Sequence, residues 1–233
     1  MTRIARVVVP GLPHHVTQRG VRSVSIFTDD SDRELYLQLV AEQAERHGVE
    51  FLAWCLMSNH VHLVAVPRSE ESLARAVGEA HRLYTRARNF REGVRGYLFQ
   101  GRFGSYPVQE DGHLLAVARY VDLNPVRARL VKEPGTYEWS SARFHLDGRR
   151  SDALVTDRTL LGLVDDWREV LEERVSADDA KEMERRLSTG RPWGTEGFVA
   201  RLERKLGVEL TPQSPGWPRG AKRRGPRGRM KAN

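Results

Sequence analysis

The chain has 233 residues, 39% hydrophobic and 30% charged, enough apolar content to bury a core in one compact domain with a smaller appendage. Its longest apolar runs, residues 51–57 and 61–67, are far too short to cross a bilayer, and the N-terminal stretch makes a poor signal peptide, so a soluble, cytoplasmic protein is expected. The net charge of +7 sits at one end: residues 211–233 carry Arg219, Lys222, Arg223, Arg224, Arg227, Arg229 and Lys231 and no acid. That segment reads as a solvated, disordered tail or as a flexible arm for a polyanion.

In chain order, residues 6–10 and 15–18 are Val-containing stretches split by Gly11 and Pro13, which predicts a first strand interrupted by a turn or bulge. Asp29 or Asp30 starts a helix in which Leu35, Leu39 and Val40 recur at helical spacing until Gly48 stops it. Residues 49–55 and 61–66 are strand-length apolar runs closed by Pro67, a hairpin of buried strands. The single cysteine, Cys55, lies within the first run; it excludes an intrachain disulfide and reads as a buried, inert thiol.

Over residues 69–89, Leu73, Val77, Ala80 and Tyr84 mark a second amphipathic helix with arginines toward its end. Gly93 and Gly96 follow in a loop, residues 105–108 form a fourth strand, and residues 111–123 form a helix with Leu114, Val117, Ala118 and Val121 as its apolar stripe. This order predicts an α+β chain: a ferredoxin-like (RRM-like) four-stranded antiparallel sheet with helices on one face and the other open to ligands. After Gly148 the pattern changes. Helical stretches at 160–175, 177–187 and 198–206 define a small C-terminal helical appendage over residues 148–210, ahead of the basic tail at 211–233.

The chemistry concentrates in two places. In His60-Val61-His62, strand geometry puts two imidazoles side by side on one face, a metal-ligand spacing that also suits a pair of hydrogen-bonded structural histidines. In the third helix, at about 100° per residue, Tyr120 falls beyond the shoulder of the apolar stripe with Asn124 one turn on, nearly on the same line. A half-buried tyrosine and a helix-ending asparagine before Pro125 would leave the same pattern.

Several stretches together carry a resemblance. They are Met57-Ser58-Asn59-His60-Val61-His62-Leu63-Val64, then Tyr120-Val121-Asp122-Leu123-Asn124-Pro125-Val126-Arg127, then Trp139-Ser140-Ser141, with Pro10 to Gly20 and Phe27 to Arg33 also similar. The chain resembles the HUH single-tyrosine transposases, and within them the REP-associated tyrosine transposases, over residues 1–147. That resemblance implies a ferredoxin-like domain, a divalent metal (Mg²⁺ or Mn²⁺) at His60 and His62, Tyr120 as nucleophile and Asn124 as third ligand. It implies a single-stranded DNA endonuclease and strand transferase working through a 5′-phosphotyrosine, on single-stranded or hairpin DNA.

For substrate contacts, Arg82, Arg86, Arg88, Arg91, Arg95 and Arg102 interleave with Tyr84, Phe90, Tyr97, Phe99 and Phe103. That composition suits phosphates and stacked bases, and equally a solvated helix face over core aromatics. In the tail, Arg227 and Arg229 within Pro-Arg-Gly-Arg are similar to the core of a minor-groove hook. His14 and His15 suit substrate contacts, but cap or turn contacts are the expected reading. The alternative function is a non-catalytic RRM-like nucleic-acid-binding module, which would not require His60, His62 and Tyr120 together.

Overall fold

The structure, a computed structural model, describes residues 6–110, 112–148, 151–156, 158–173 and 176–211. Apart from Thr211, the tail, with Arg227 and Arg229, lies outside the described residues.

Four strands, β1 (His14–Arg19), β2 (Val49–Leu56), β3 (His60–Pro67) and β4 (Gly104–Pro107), form one sheet in the order β2-β3-β1-β4, every neighbour antiparallel. Helix α1 (Asp30–His47) links β1 to β2, and α2 (Ser72–Glu92) links β3 to β4. This is the expected ferredoxin-like βαββαβ arrangement. The expected strand over residues 6–10 does not join the sheet; Val7 and Val9 instead pack on Phe198, Leu202 and Leu210 from the far end of the chain.

Side-chain alternation assigns the two faces. Val16, Trp54, Leu56, Val61, Leu63 and Ala65 meet α1 and α2 in one core, while Ala53, Cys55, Val64 and Tyr106 belong to a second. A bulge between Phe51 and Ala53 resets β2, so that Leu52 and Ala53 both point to the second face. Cys55 is fully buried there, and burial pushes its thiol well above the ordinary range.

This second face was expected to be open, with helices on one side only; it is covered instead, because a row of Ala, Cys, Val and Leu cannot be left in water. Helix α3 (Gly112–Asp122) crosses it with Leu114, Val117, Ala118 and Val121, continuing after Leu123 into one turn, α4 (Asn124–Arg127). Helix α5 (Ala142–Asp147) follows. Helices α6 (Trp167–Glu172) and α7 (Ala177–Thr189) then add Trp167, Ala180 and Met183 to the same core, and α8 (Glu196–Leu206) packs on Val7 and Val9. The helix expected across 160–175 is shorter, confined to α6 among the described residues.

Both sheet edges are occupied. Leu56 N donates to Trp139 O at 2.8 Å and Ser141 N to Trp54 O at 3.0 Å along the outer side of β2. Beside β4, Trp193 N donates to Pro107 O and Gln109 N to Trp193 O, both at 2.9 Å. Paired edges cannot template association with another chain.

Helices α1 and α2 are locked by a buried charge. Asp32, fully inside, accepts from Thr28 N at 2.7 Å and Thr28 Oγ1 at 2.8 Å and is ion-paired with Arg88 and Arg91 of α2. Arg88 and Arg91 are thereby structural and leave the set of substrate arginines. Burial acts to raise the Asp32 pKa, but the Thr28 bonds and the two guanidinium groups outweigh it and hold the carboxyl below 3.8. Its stabilisation is therefore present above pH 3.8 and lost as pH falls through the lowered value. Asp32→Asn, which leaves Arg88 with Glu92 as its remaining acidic partner, should cost about 1.5–3 kcal/mol in urea denaturation at neutral pH. Its stability should also fall less than the wild type's on acidification.

Candidate active site

The site starts on β3. His60 and His62 share a face, their rings edge to face with centroids 5.0 Å apart. His60 Nδ1 lies 2.6 Å from Asn59 Oδ1; the amide oxygen only accepts, so Nδ1 holds the proton and Nε2 keeps its lone pair. His62 Nδ1 is engaged by His15 Nε2 at 3.0 Å, which leaves Nε2 as its remaining nitrogen. Burial, with Arg19 adding, lowers the His60 pKa to about 4, and burial with the neighbouring His15, His60, Arg19 and Arg127 takes His62 well below its usual value. Both imidazoles are neutral at physiological pH, the form that ligates metals.

Strand β1 supplies the flank. Its register sets Thr17 opposite His62 and Arg19 opposite His60, so the odd-numbered residues of β1 share the histidine face. His15 was expected to make a turn or cap contact. It is instead buried beside the pair, its ring stacked on His62 at 5.2 Å and its Nδ1 2.9 Å from the Tyr106 hydroxyl. The turn contact belongs to His14, whose Nδ1 donates to Leu12 O at 2.8 Å while Nε2 accepts from Val9 N at 3.1 Å.

From above the sheet, α3 brings Tyr120. Its ring centroid is 5.5 Å from that of His62 and 6.1 Å from that of His15, all within one chain. The backbone ladder survives the junction of α3 and α4, with Leu123 N to Arg119 O and Arg127 N to Leu123 O both at 2.9 Å. Tyr120, Asn124 and Arg127 therefore line up at i, i+4 and i+7. The Asn124 side chain is close enough to the Tyr120 hydroxyl to act on its pKa, and the Arg127 guanidinium stands 4.8 Å over the Tyr120 ring. Burial, with Glu184 of α7 adding, raises the phenol's pKa above its ordinary value; Arg127, Asn124 and Arg19 offset part of that rise.

What holds α3 in place is Asp122, two residues after Tyr120 and fully buried. Its Oδ1 accepts from Ser141 Oγ at 3.0 Å, and its Oδ2 accepts from His145 Nδ1 at 2.7 Å and Trp167 Nε1 at 3.0 Å. Ser141 Oγ in turn accepts from Trp54 N at 2.9 Å. His145 Nε2 faces Leu52 O at 3.0 Å. Both of its ring nitrogens thus face acceptors, so His145 is doubly protonated and pairs with Asp122 as an imidazolium.

The structure brings His60, His62 and Tyr120 together, with Asn124 one helical turn on from Tyr120. It does not bring Arg82, Arg86 and Arg102 to them: these lie toward α2, on the side of the sheet away from the histidines, and Arg82 is paired with Glu79. Missed in the sequence were His15, Arg19, Tyr106 and Arg127. The parity of β1 and β4 would have found the first three only once the strand register was known. Among the described residues, no group of three or more His, Cys, Asp or Glu side chains is placed to hold a metal. The candidate donors are the two imidazoles, with the Asn124 amide beyond Tyr120.

A family model described as "Transposase IS200 like" matches residues 9–124, about half the chain and all of the four-stranded unit with α3. Among solved structures, a REP-associated tyrosine transposase bound to a REP hairpin superposes with a TM-score of 0.55 at 17% identity, covering 66% of this chain and 90% of that one. A protein from Deinococcus radiodurans R1 described as a candidate transposase gives 0.36 at 18% identity, covering 55% and 92%. No curated protein matches the chain in sequence.

The Asp122–His145 pair carries a measurable consequence. Burial acts to lower the His145 pKa, but the Asp122 charge and hydrogen bond outweigh it and the net shift is upward from 6.5. Its stabilisation is therefore complete below pH 6.5 and lost as pH rises through the raised value. His145→Leu, which removes the countercharge of Asp122 and leaves it only the Ser141 and Trp167 bonds, should cost about 3–5 kcal/mol near pH 6. The wild type's lead over it in chemical denaturation should shrink on the alkaline side.

Proposed function

Since the chain belongs to the IS200-like transposase family, we propose that Tyr120 is the nucleophile of a metal-assisted single-stranded DNA endonuclease and strand transferase. The observation that carries this reading is the approach of the Tyr120 ring to His62, with His60 beside it and both imidazoles neutral. The covered sheet face supports it over a non-catalytic RRM-like module, which would need that face open for stacked bases.

A tyrosine hydroxyl is a weak nucleophile at neutral pH. His60 and His62, each with Nδ1 engaged, would hold a divalent cation through Nε2, and Asn124 would contribute its amide oxygen. Bound there, Mg²⁺ or Mn²⁺ supplies Lewis acidity and open positions for phosphate oxygens. Arg127 and Arg19 add fixed positive charge near the phenol, favouring the phenolate and the phosphate together. As the Tyr120 oxygen bonds to phosphorus, the bond to the 3′-oxygen breaks; the phenol gives up its proton and the 3′-oxygen leaves as a hydroxyl. The number of ester bonds is unchanged, so a second 3′-hydroxyl can reverse the step on another strand without a nucleotide cofactor.

The substrate is proposed to be single-stranded or hairpin DNA, in keeping with the REP hairpin held by the structural neighbour. Arg82 and Arg102, with Arg6 and the exposed Tyr97, line a groove of about 610 Å³ whose lining has no carboxylate, a place suited to a flanking strand; Arg86 is exposed nearby on α2. Arg227 and Arg229 are proposed as tail contacts.

Tyr120→Phe should fold, bind hairpin DNA and give no protein–DNA adduct on a denaturing gel with Mn²⁺. His60→Ala should lose the adduct at low Mn²⁺ and regain part of it at high Mn²⁺. An adduct persisting in Tyr120→Phe would assign the nucleophile to another tyrosine. Deleting residues 211–233 should leave cleavage intact while flattening the salt dependence of binding, by about 0.7 in log–log slope for each phosphate the tail had neutralised. An unchanged slope would mean the tail neutralises none.

A further inference from the structure

We propose that His15, held by Tyr106, is a positioning residue that sets the tautomer of His62 and thereby the metal affinity of the site. The proposal rests on the reading of His60 and His62 as metal ligands. The three side chains come from the adjacent strands β3, β1 and β4: His15 is opposite Tyr106 on one side and one diagonal step from His62 on the other. They form a continuous chain, His62 Nδ1 to His15 Nε2 at 3.0 Å and His15 Nδ1 to the Tyr106 hydroxyl at 2.9 Å.

The order of protons along this chain is constrained. A cation on His62 Nε2 needs the lone pair there, so the His62 proton must sit on Nδ1 and point at His15. His15 can accept it on Nε2 only with its own proton on Nδ1, which then donates to the Tyr106 oxygen. The reverse order would place a proton on His62 Nε2 and block it. His15 and Tyr106 are both completely buried, so water is in no position to replace either partner. Imidazoles that bind metals generally donate their second N–H to an acceptor, often a carboxylate. Here the acceptor is a neutral imidazole backed by a phenol, which orients His62 without adding a negative charge beside a site for a polyanion.

The test uses the full chain as wild type, His15→Leu, His15→Gln and Tyr106→Phe, with folding checked by circular dichroism and thermal melting. Mn²⁺ affinity is measured by electron paramagnetic resonance, and imidazole tautomers by ¹⁵N NMR in metal-free protein. In the wild type, His62 should carry its proton on Nδ1. His15→Leu should weaken Mn²⁺ binding about 10–100-fold. His15→Gln should stay near wild type, because its amide oxygen accepts from His62 while its NH₂ donates to Tyr106. Tyr106→Phe should fall between them. Two results would overturn the proposal: a metal-free wild type with the His62 proton on Nε2, or a folded His15→Leu protein that binds Mn²⁺ as tightly as wild type. If His15→Leu does not fold, Tyr106→Phe decides, and unchanged affinity with an unchanged tautomer sinks the idea. A His60→Ala control separates the underlying reading: unchanged Mn²⁺ affinity there, or none in the wild type, removes the metal site and the relay with it.

Discussion

Asp122 reaches no solvent, yet its carboxylate is surrounded by a hydroxyl, an imidazolium and an indole N–H drawn from three separate segments. A buried charge without partners would be prohibitive, and this one is satisfied only when residues 139–141, α5 and α6 are all in place around α3. The same carboxylate therefore fixes the rotation and depth of α3 against β2. Tyr120 lies two residues before it and Asn124 two residues after. Tyr120 and Asn124 are thus positioned by a neighbour that lies between them in sequence and outside the candidate site.

This explains why two sequence motifs far apart belong together. Tyr-Val-Asp-Leu-Asn-Pro and Trp-Ser-Ser meet through the Ser141 hydroxyl, which accepts from the Trp54 backbone and donates to Asp122. The backbone of Trp139 and Ser141 meanwhile closes the free edge of β2. One short segment thus seals the sheet and anchors the helix that carries Tyr120. The bulge at Leu52 contributes as well, since the Leu52 carbonyl is the second acceptor that keeps His145 charged.

Charge is separated by depth. The imidazoles are neutral, the buried hydroxyl behind them is neutral, and the positive charge comes from Arg19 and Arg127 at the flanks. Such an arrangement leaves lone pairs available while the surrounding field favours an incoming phosphate. The other conspicuous arginines divide: Arg88 and Arg91 join α1 to α2 through Asp32, while Arg82, Arg86, Arg95 and Arg102 are exposed.

Period and punctuation in the sequence determined the strand and helix order, the facing of His60 with His62, and the alignment of Tyr120 with Asn124, because these depend only on local backbone geometry. The ferredoxin-like sheet followed from that order. The tertiary structure decided the rest. Whether β1 offers His15 and Arg19 or His14 and Gln18 to the histidine face depends on strand register, which is a property of paired strands and not of one. That the second sheet face is covered depends on how α3, α6 and α7 pack onto it. The identity of Arg88 as an ion-pair partner for Asp32, and of Asp122 as the anchor of α3, depends on which buried charges find each other across 19 to 56 residues of chain, a matter of packing that no local pattern encodes.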